Sequence, residues 1–180
     1  NTTKGRLQKE AIERIDEFCT DYERRIREKG GLGFFLGGIG PDGHIAFNVR
    51  GSDYFSTTRL TPTNFETQAA AAGDLGGIEV SQKRLVITIG LQTISYNPDA
   101  TCLIFAAGEA KAKIVAGSVQ ETANNAYPAG ALHNMPNARF YITSGAAVFL
   151  DRRQAHEIER AVEVSEELVD QHLITLSMRS

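Results

Sequence analysis

The sequence has few of the features that mark a secreted, disulfide-bonded or membrane-embedded protein. It contains no tryptophan, five prolines and only two cysteines, Cys19 and Cys102, among 180 residues. Two cysteines so far apart cannot form a dense disulfide framework, so we expect both thiols to be reduced. The longest apolar run lies around residues 102–107 and is far shorter than the roughly 18–20 residues that a membrane-spanning helix needs. The first residues show no basic-then-apolar leader pattern, and we therefore expect a cytoplasmic location and no membrane partner.

The sequence also lacks a strong charge of either sign. Its 19 basic and 22 acidic residues give a formal net charge of -3, and no basic stripe runs along the chain. A nucleic-acid-binding domain normally carries such a stripe, so we expect no nucleic-acid partner. Apolar residues make up 42% of the chain and the mean hydropathy is -0.23, which is ordinary for a globular protein. The length favours a single domain over residues 1–180, but composition alone says nothing about chemistry.

Apolar residues at helical spacing predict a first helix over residues 5–29. Six of them step by three or four positions and share one helix face: Leu7, Ala11, Ile15, Phe18, Tyr22 and Ile26. The pair Gly30-Gly31 ends the pattern, because glycine adopts the left-handed helix cap at little cost.

Four later apolar runs predict strands of a mostly parallel sheet, because continuous apolar runs are typical of strands buried on both faces. The predicted strands cover residues 32–37, 85–89, 102–107 and 139–143, with helices over 109–119 and 152–172 and a long ordered loop over 122–138. Alternating strands and helices favour the α/β class. Four strands are few for such a fold, so we expect the chain to be the C-terminal part of a larger domain.

The turn at residues 37–48 is the most informative stretch. Gly38, Gly40 and Gly43 satisfy the spacing of a dinucleotide-binding loop, but no helical pattern follows and no acidic residue occurs where that motif requires one. Residues 40–43 instead have the proline and glycine positions of a type I turn. The turn follows a predicted strand, and open α/β sheets place their ligands at that end of the strands.

Asp42 and His44 lie two residues apart in this turn. A carboxylate at that distance can orient an imidazole, set its tautomer and favour its protonated form. A histidine held in this way can act as a general acid or base. The alternative interpretation stays open: Asp42 caps the turn and His44 only packs against it.

Residues 37–48, with the sequence GGIGPDGHIAFN, closely resemble the active-site signature of the glucosamine-6-phosphate deaminases, also called isomerases. The related 6-phosphogluconolactonases share the first half of the signature but usually continue with Thr-Ala-Ser. Further segments resemble the same family and extend the match over most of residues 32–145: residues 56–59, 87–94, 108–112 and 128–136. The resemblance implies a Rossmann-like, mostly parallel sheet flanked by helices, without the N-terminal part of the domain.

The family converts an amino-sugar phosphate into a ketose phosphate and ammonia, and the resemblance carries its catalytic roles to named residues. His44 is expected to open the pyranose ring by protonating its oxygen, with Asp42 orienting it. Lys111 is expected to hold the sugar phosphate, since an ammonium group is a suitable partner for that dianion. Gly40 and Gly43 are expected to belong to the substrate-binding turn.

Arg59 and Ser52 match positions at which bacterial deaminases bind an allosteric amino-sugar effector, although Thr61 stands in place of a neighbouring basic residue. The resemblance implies no organic cofactor. The four histidines and two cysteines show no spacing typical of a metal site, so we also expect no metal. The expected partner is a small-molecule sugar phosphate, and self-association into a homo-oligomer is left open.

Two further departures from the family pattern concern catalysis and phosphate binding. Val49 occupies the position of a glutamate that completes the catalytic acid–base group, and Gly73 occupies that of a phosphate-binding arginine. The family's N-terminal phosphate loop and its proton-moving aspartate have no counterpart in the chain. We therefore expect this fragment alone to be inactive. The alternatives are a non-catalytic sugar-phosphate-binding or regulatory module and a related sugar-phosphate isomerase or lactonase.

Overall fold

The structure is a computed structural model that describes residues 2–40, 42–63, 65–70, 73 and 85–151. Its helices are α1 (Thr3–Glu28), α2 (Phe65–Ala70), α3 (Leu91–Ser95) and α4 (Ala112–Gln120), and its strands are β1 (Phe34–Gly38), β2 (Arg59–Pro62), β3 (Leu85–Thr88), β4 (Thr101–Ala106) and β5 (Ala138–Ile142). Three short 3₁₀ helices cover Glu109–Lys111, Pro128–Asn134 and Gly145–Ala147. The helix predicted over 152–172 lies outside the described residues.

A parallel three-stranded sheet with the order β1-β4-β5 forms the centre of the fold. In its register Leu36 of β1 lies beside Leu103 of β4, and Ile104 of β4 lies beside Phe140 of β5. The helices α3 and α4 connect and flank these strands in the chain. The predicted α/β class with a mostly parallel sheet is thereby confirmed.

The strand predicted over 85–89 forms, but it does not belong to the parallel sheet. It is β3, which pairs antiparallel with β2 in a separate two-stranded sheet. No local pattern indicates β2, because its four residues, RLTP, form no apolar run and end in Pro62, which cannot donate to a strand ladder. The prediction of a fourth parallel strand was therefore wrong.

The core lies on one face of the parallel sheet. Cys102, Ile104 and Ala106 of β4 point into it and meet buried residues of α3, α4 and the 3₁₀ segment Pro128–Asn134. The opposite face of the sheet is exposed, although it carries large apolar side chains: Phe34, Leu36, Phe105 and Tyr141. Because parallel sheets are normally covered on both faces, this exposed apolar face is unusual for the fold class.

Helix α1 matches the predicted helix closely. The Thr2 hydroxyl accepts a hydrogen bond from the Gly5 N–H at 3.2 Å and caps the first turn. The predicted apolar stripe is largely exposed, since Leu7 is 61% and Phe18 56% accessible. The residues that α1 buries are Cys19 and Glu23. No described helix combines the length and the apolar character needed to cross a membrane.

Candidate active site

The loop that carries His44 leaves the carboxyl end of β1, where the sequence analysis expected a ligand site. The Gly40 N–H donates to the His44 carbonyl at 2.9 Å, and the Gly43 N–H donates to the Gly40 carbonyl at 3.1 Å. Gly43 has a φ of 84°, a left-handed conformation that favours glycine. These contacts close a tight turn that returns the chain over the end of the sheet.

His44 and Asp42 are in direct contact, as predicted. The His44 Nδ1 lies 2.5 Å from the Asp42 Oδ1, and the two side chains are 14% and 8% exposed. The Arg50 backbone N–H donates to the other carboxylate oxygen, Asp42 Oδ2, at 3.2 Å. Burial by itself would raise the pKa of Asp42, but the hydrogen bonds from His44 and Arg50 outweigh it and lower the pKa to about 2. An ionised carboxylate only accepts hydrogen bonds, so the proton between the two groups lies on His44 Nδ1.

The imidazole of His44 lies directly over the α-carbon of Gly40. A Cβ at position 40 would overlap the ring atoms of His44. The Phe47 ring stacks beside the imidazole with a centroid separation of 6.3 Å and an interplanar angle of 20°. Any side chain at position 40 would therefore have to displace the His44 ring, a close approach that the turn pattern does not indicate.

The end of the signature is held by Asn48, a role that the sequence analysis missed. The fully buried Asn48 side chain donates from Nδ2 to the carbonyls of Ile45 and Ile89 at 3.1 Å and 2.9 Å. Ala46 has a φ of 50°, which is uncommon for a residue with a Cβ and turns the chain so that Asn48 faces inward. The asparagine at the end of the signature was the available signal in the sequence. It could not reveal the partner, because Ile89 lies 41 residues further along the chain.

Lys111 lies at the same end of the sheet as the His44 loop. Its Nζ donates to the Ile39 carbonyl, directly after β1, at 2.9 Å. Burial lowers the pKa of Lys111, and the negative charge of Asp42 acts in the opposite direction. The predicted phosphate-binding lysine and the predicted acid–base pair therefore share one sheet edge, with Lys111 on the short 3₁₀ helix that precedes α4.

Arg59 and Ser52, the predicted effector-binding residues, also lie together. The Arg59 Nη2 donates to the Ser52 Oγ at 3.4 Å, and its Nη1 donates to the Asn48 Oδ1 at 2.9 Å. Burial lowers the pKa of Arg59, against the opposing charge of Asp53. Arg59 is thus tied to the end of the signature.

Val49 and Gly73 lack the charged side chains that the family pattern has at these two positions. Val49 is half-buried and its carbonyl accepts a hydrogen bond from the Ser52 N–H at 3.0 Å, so this position contributes no carboxylate. A Cβ at Gly73 would meet nothing within 4 Å among the described residues. The His44–Asp42 pair of the described residues therefore receives no third carboxylate from position 49.

Two prominent surface cavities lie away from this pair. One is lined by residues of α4 together with Tyr127, Phe149 and Asp151. The other lies between α1 and residues 57–59. Neither is lined by His44 or Asp42, so these cavities do not define a binding space for the imidazole.

Comparison with known proteins gives a consistent result, although no protein-family model matches the chain. Glucosamine-6-phosphate deaminase 2 of Xenopus laevis is 33% identical over 84% of this chain and 54% of its own length. The Caenorhabditis elegans deaminase is 47% identical over 42% of this chain and 28% of its own length. A solved structure, that of a monomeric glucosamine-6-phosphate deaminase of the NagB superfamily, gives a TM-score of 0.66 at 30% identity, over 73% of this chain and 54% of that chain.

This chain is a relative of the glucosamine-6-phosphate deaminases. The family resemblance inferred from residues 37–48 is thereby confirmed, and so is the fold class. The chain spans about half the length of the Xenopus laevis deaminase, of which it covers 54%. What the complete relatives do can therefore be carried to this chain only as a proposal.

Proposed function

We propose that this chain forms the acid–base half of an amino-sugar-phosphate isomerase and deaminase, which converts glucosamine or galactosamine 6-phosphate into a ketose 6-phosphate and ammonia. One observation carries the proposal: the hydrogen-bonded His44–Asp42 pair lies at the carboxyl end of a parallel sheet, with Lys111 at the same edge. The similarity to named deaminases supports the substrate class.

In the proposed reaction His44 protonates the ring oxygen of the sugar. Asp42 fixes Nδ1–H, so the proton is exchanged through Nε2 of the same ring, and the carboxylate stabilises the positive charge of the imidazolium. The C1–O5 bond breaks, O5 keeps the proton, and the C1 hydroxyl loses one, which leaves an open-chain aldehyde. A proton then leaves C2 and one is added at C1, while O1 gains a proton and the C2 nitrogen loses one, so that C1 becomes a hydroxymethyl group and C2 an imine carbon. Water adds to C2, and the C2–N bond breaks to release ammonia as the carbonyl of the ketose phosphate forms.

Lys111 is the proposed partner of the substrate phosphate. Its ammonium group is half-buried at the sheet edge and is held by the Ile39 carbonyl, so it is pre-positioned for an anion. Gly40 and Gly43 shape the turn that carries His44 at the same end of the sheet as Lys111. We propose these four residues as the substrate-facing set, with Arg59 and Ser52 as a second, effector-binding pair.

The hydrogen transfer from C2 to C1 needs a general base that we do not assign to this chain. Val49 cannot supply it, and loss of a general base typically costs ~10²–10⁴ in rate. We therefore propose that residues 1–180 form the C-terminal part of a single larger domain and are inactive alone. The remainder of that domain would cover the exposed apolar face formed by Phe34, Leu36, Phe105 and Tyr141.

The decisive experiment measures ammonia and ketose phosphate released from glucosamine 6-phosphate by the full-length gene product. The His44→Ala variant is expected to lose activity by at least ~10²-fold while it still binds the sugar phosphate. The His133→Ala variant is the matched control, because His133 is exposed and bonds only to the Ser118 carbonyl at 2.6 Å among the described residues. Equal activity in the His44→Ala variant and the parent would overturn the proposal.

A non-catalytic sugar-phosphate-binding or regulatory module is the second candidate, and Val49 is the observation that favours it. Tight binding of glucosamine 6-phosphate by the full-length protein without product release would establish this role. The residues Ile45-Ala46-Phe47-Asn48 argue against a lactonase, whose signature usually continues differently after the histidine.

The buried thiols of Cys19 and Cys102, which form no disulfide with each other, support our proposal of a cytoplasmic location.

A further inference from the structure

Helix α1 buries a carboxylate that the proposed reaction does not use. Glu23 is 7% exposed, although most of its helix faces solvent. It lies against two segments that the sequence analysis matched to the deaminase family, residues 56–59 and the start of α3. A buried charged group must be paired or well hydrogen-bonded to be tolerated, so its partners indicate what it holds in place.

One oxygen of Glu23 accepts three hydrogen bonds. The Thr58 N–H and hydroxyl donate to Oε2 at 3.2 Å and 2.9 Å, and the Thr93 hydroxyl donates to the same oxygen at 2.8 Å. The second oxygen, Oε1, lies 3.5 Å from the Arg27 Nε. Burial acts to raise the pKa of Glu23, but these hydrogen bonds and the charge of Arg27 lower it overall, so the group is ionised near neutral pH.

The same contacts continue from Thr58 to the His44 loop. Arg59 follows Thr58 directly and donates to the Asn48 Oδ1 at 2.9 Å. Asn48 in turn donates to the carbonyl of Ile45, the residue after His44, at 3.1 Å. Glu23 is therefore connected to the His44 loop through three hydrogen-bonded steps, Glu23–Thr58, Arg59–Asn48 and Asn48–Ile45, and the peptide link between Thr58 and Arg59.

We propose that Glu23 is a positioning residue for the proposed active site. It anchors Thr58 and α3 to α1, which aims Arg59 at Asn48 and fixes the loop that presents His44. This inference rests on the proposed function for its catalytic consequence, but its geometric content concerns the orientation of His44 and can be measured without turnover.

Two substitutions distinguish the effect of the hydrogen bonds that Glu23 accepts from the effect of its negative charge. Glu23→Gln can keep its carbonyl oxygen at the position of Oε2 and accept all three hydrogen bonds, whereas Glu23→Leu keeps a similar volume and loses them all. Glu13→Leu is the matched control, because Glu13 lies on α1 with its side chain 57% exposed and pairs only with Lys9 among the described residues.

The experiment records the imidazole nitrogen resonances of His44 in the full-length protein by NMR, together with kcat and KM for glucosamine 6-phosphate. We expect Glu23→Leu to shift the His44 resonances and lower kcat by up to ~10²-fold, because a misplacement of about 1 Å costs that much. Glu23→Gln should restore the parent resonances and most of kcat, and Glu13→Leu should resemble the parent.

Unchanged His44 resonances in a folded Glu23→Leu variant would overturn the inference, as would a Glu23→Gln variant that is as strongly perturbed as Glu23→Leu. If Glu23→Leu does not fold, Arg59→Met interrupts the same path one step later and must shift the His44 resonances. Shifted resonances in a protein that never releases ammonia would refute the proposed function and leave the positioning role of Glu23 intact.

Discussion

At the scale of single residues, the candidate site depends on the absence of a side chain at position 40. The imidazole of His44 occupies the space of a Gly40 Cβ, so the ring is held by the backbone below it, by Phe47 beside it and by Asp42 at Nδ1. A ring confined in this way has few alternative rotamers. The geometry of the pair is therefore largely set before any substrate binds.

Replacing Gly40 by alanine should displace His44 and destabilise the fold by about 1–3 kcal/mol, the usual range for overpacking. Gly38→Ala is the control, because a Cβ there would approach only the Phe105 carbonyl, at 3.7 Å. Chemical denaturation measures the free energy of unfolding, and NMR reports the His44 environment. An alanine at position 40 that leaves both quantities unchanged would contradict the placement of the ring.

Asp42 should make stability depend on acidic pH. Its pKa falls from 3.8 to about 2 on folding, so its contribution of about 2 kcal/mol is fully present above pH ~4 and is lost as the pH falls towards ~2. The difference in unfolding free energy between the parent and Asp42→Asn should shrink over that interval. A difference that stays constant from pH 6 to pH 2 would show that Asp42 is not held as a low-pKa carboxylate.

At the scale of elements, residues 56–59 and the start of α3 form one packed unit. The Gln92 N–H donates to the Ser56 carbonyl at 2.9 Å, and the Gly90 N–H donates to the Thr93 hydroxyl at 3.1 Å. The Thr93 hydroxyl in turn donates a hydrogen bond to the Glu23 Oε2 at 2.8 Å. Arg59 begins β2 immediately after this unit.

Gly90→Ala should separate these segments, because its Cβ would overlap the carbonyl of Ser56, a backbone group that cannot rotate away. We expect the free energy of unfolding to fall by about 1–3 kcal/mol. Substituting Arg59 should then perturb the His44 loop less in the Gly90→Ala variant than in the parent, because Arg59 is no longer held in place by α3. Gly33→Ala serves as the comparison, since no described residue lies within 4 Å of its Cβ position. Thermal unfolding of both variants is the measurement, and equal melting temperatures would contradict the close approach.

Helix α4 contains a polar group whose hydrogen-bonding capacity is not used. Ser118 is fully buried, and its hydroxyl has no hydrogen-bond partner among the described residues. Ser118→Ala should therefore raise the unfolding free energy by up to about 1 kcal/mol, since it removes an unsatisfied group and favours the helix. Ser95→Ala, which removes a 3.0 Å hydrogen bond to the Leu91 carbonyl, should not stabilise the protein. A destabilised Ser118→Ala variant would reveal a partner for the hydroxyl.

At the scale of the whole molecule, the parallel sheet has one buried and one exposed apolar face. Phe34 and Leu36 of β1 lie in register beside residues of β4, and Phe105 and Tyr141 stack with ring centroids 5.3 Å apart. A continuous apolar surface of this kind normally marks an interaction site. We propose that this surface packs against a segment corresponding to the part of the relatives that this chain does not match.

Residues 1–180 alone should bind a dye such as ANS at this face, since that dye reports exposed hydrophobic surface. The double substitution Leu36→Lys and Phe105→Lys should reduce the fluorescence with little loss of stability, because both side chains are exposed. The full-length protein should show weak dye binding. Strong fluorescence from the full-length protein would argue that no part of its chain covers the sheet.

The sequence by itself determined the elements and chemical types that depend on neighbouring residues. Apolar runs are enough to indicate β1, β4 and β5, the helical spacing indicates α1, and the order of residues in the turn brings Asp42 to His44 two positions away. These features are local, because backbone propensity and short-range hydrogen bonds decide them.

The tertiary structure alone decided the contacts between distant segments. The antiparallel pairing of β2 with β3, the hold of Glu23 on Thr93 across 70 residues and the exposed face of the parallel sheet have no local signal. Each depends on which surfaces meet once the chain has folded, and a hydrogen bond between distant residues is favourable only after packing has removed water from both groups. For that reason the sequence pattern indicated the contact between Asp42 and His44, and only the fold showed which distant residues surround their loop.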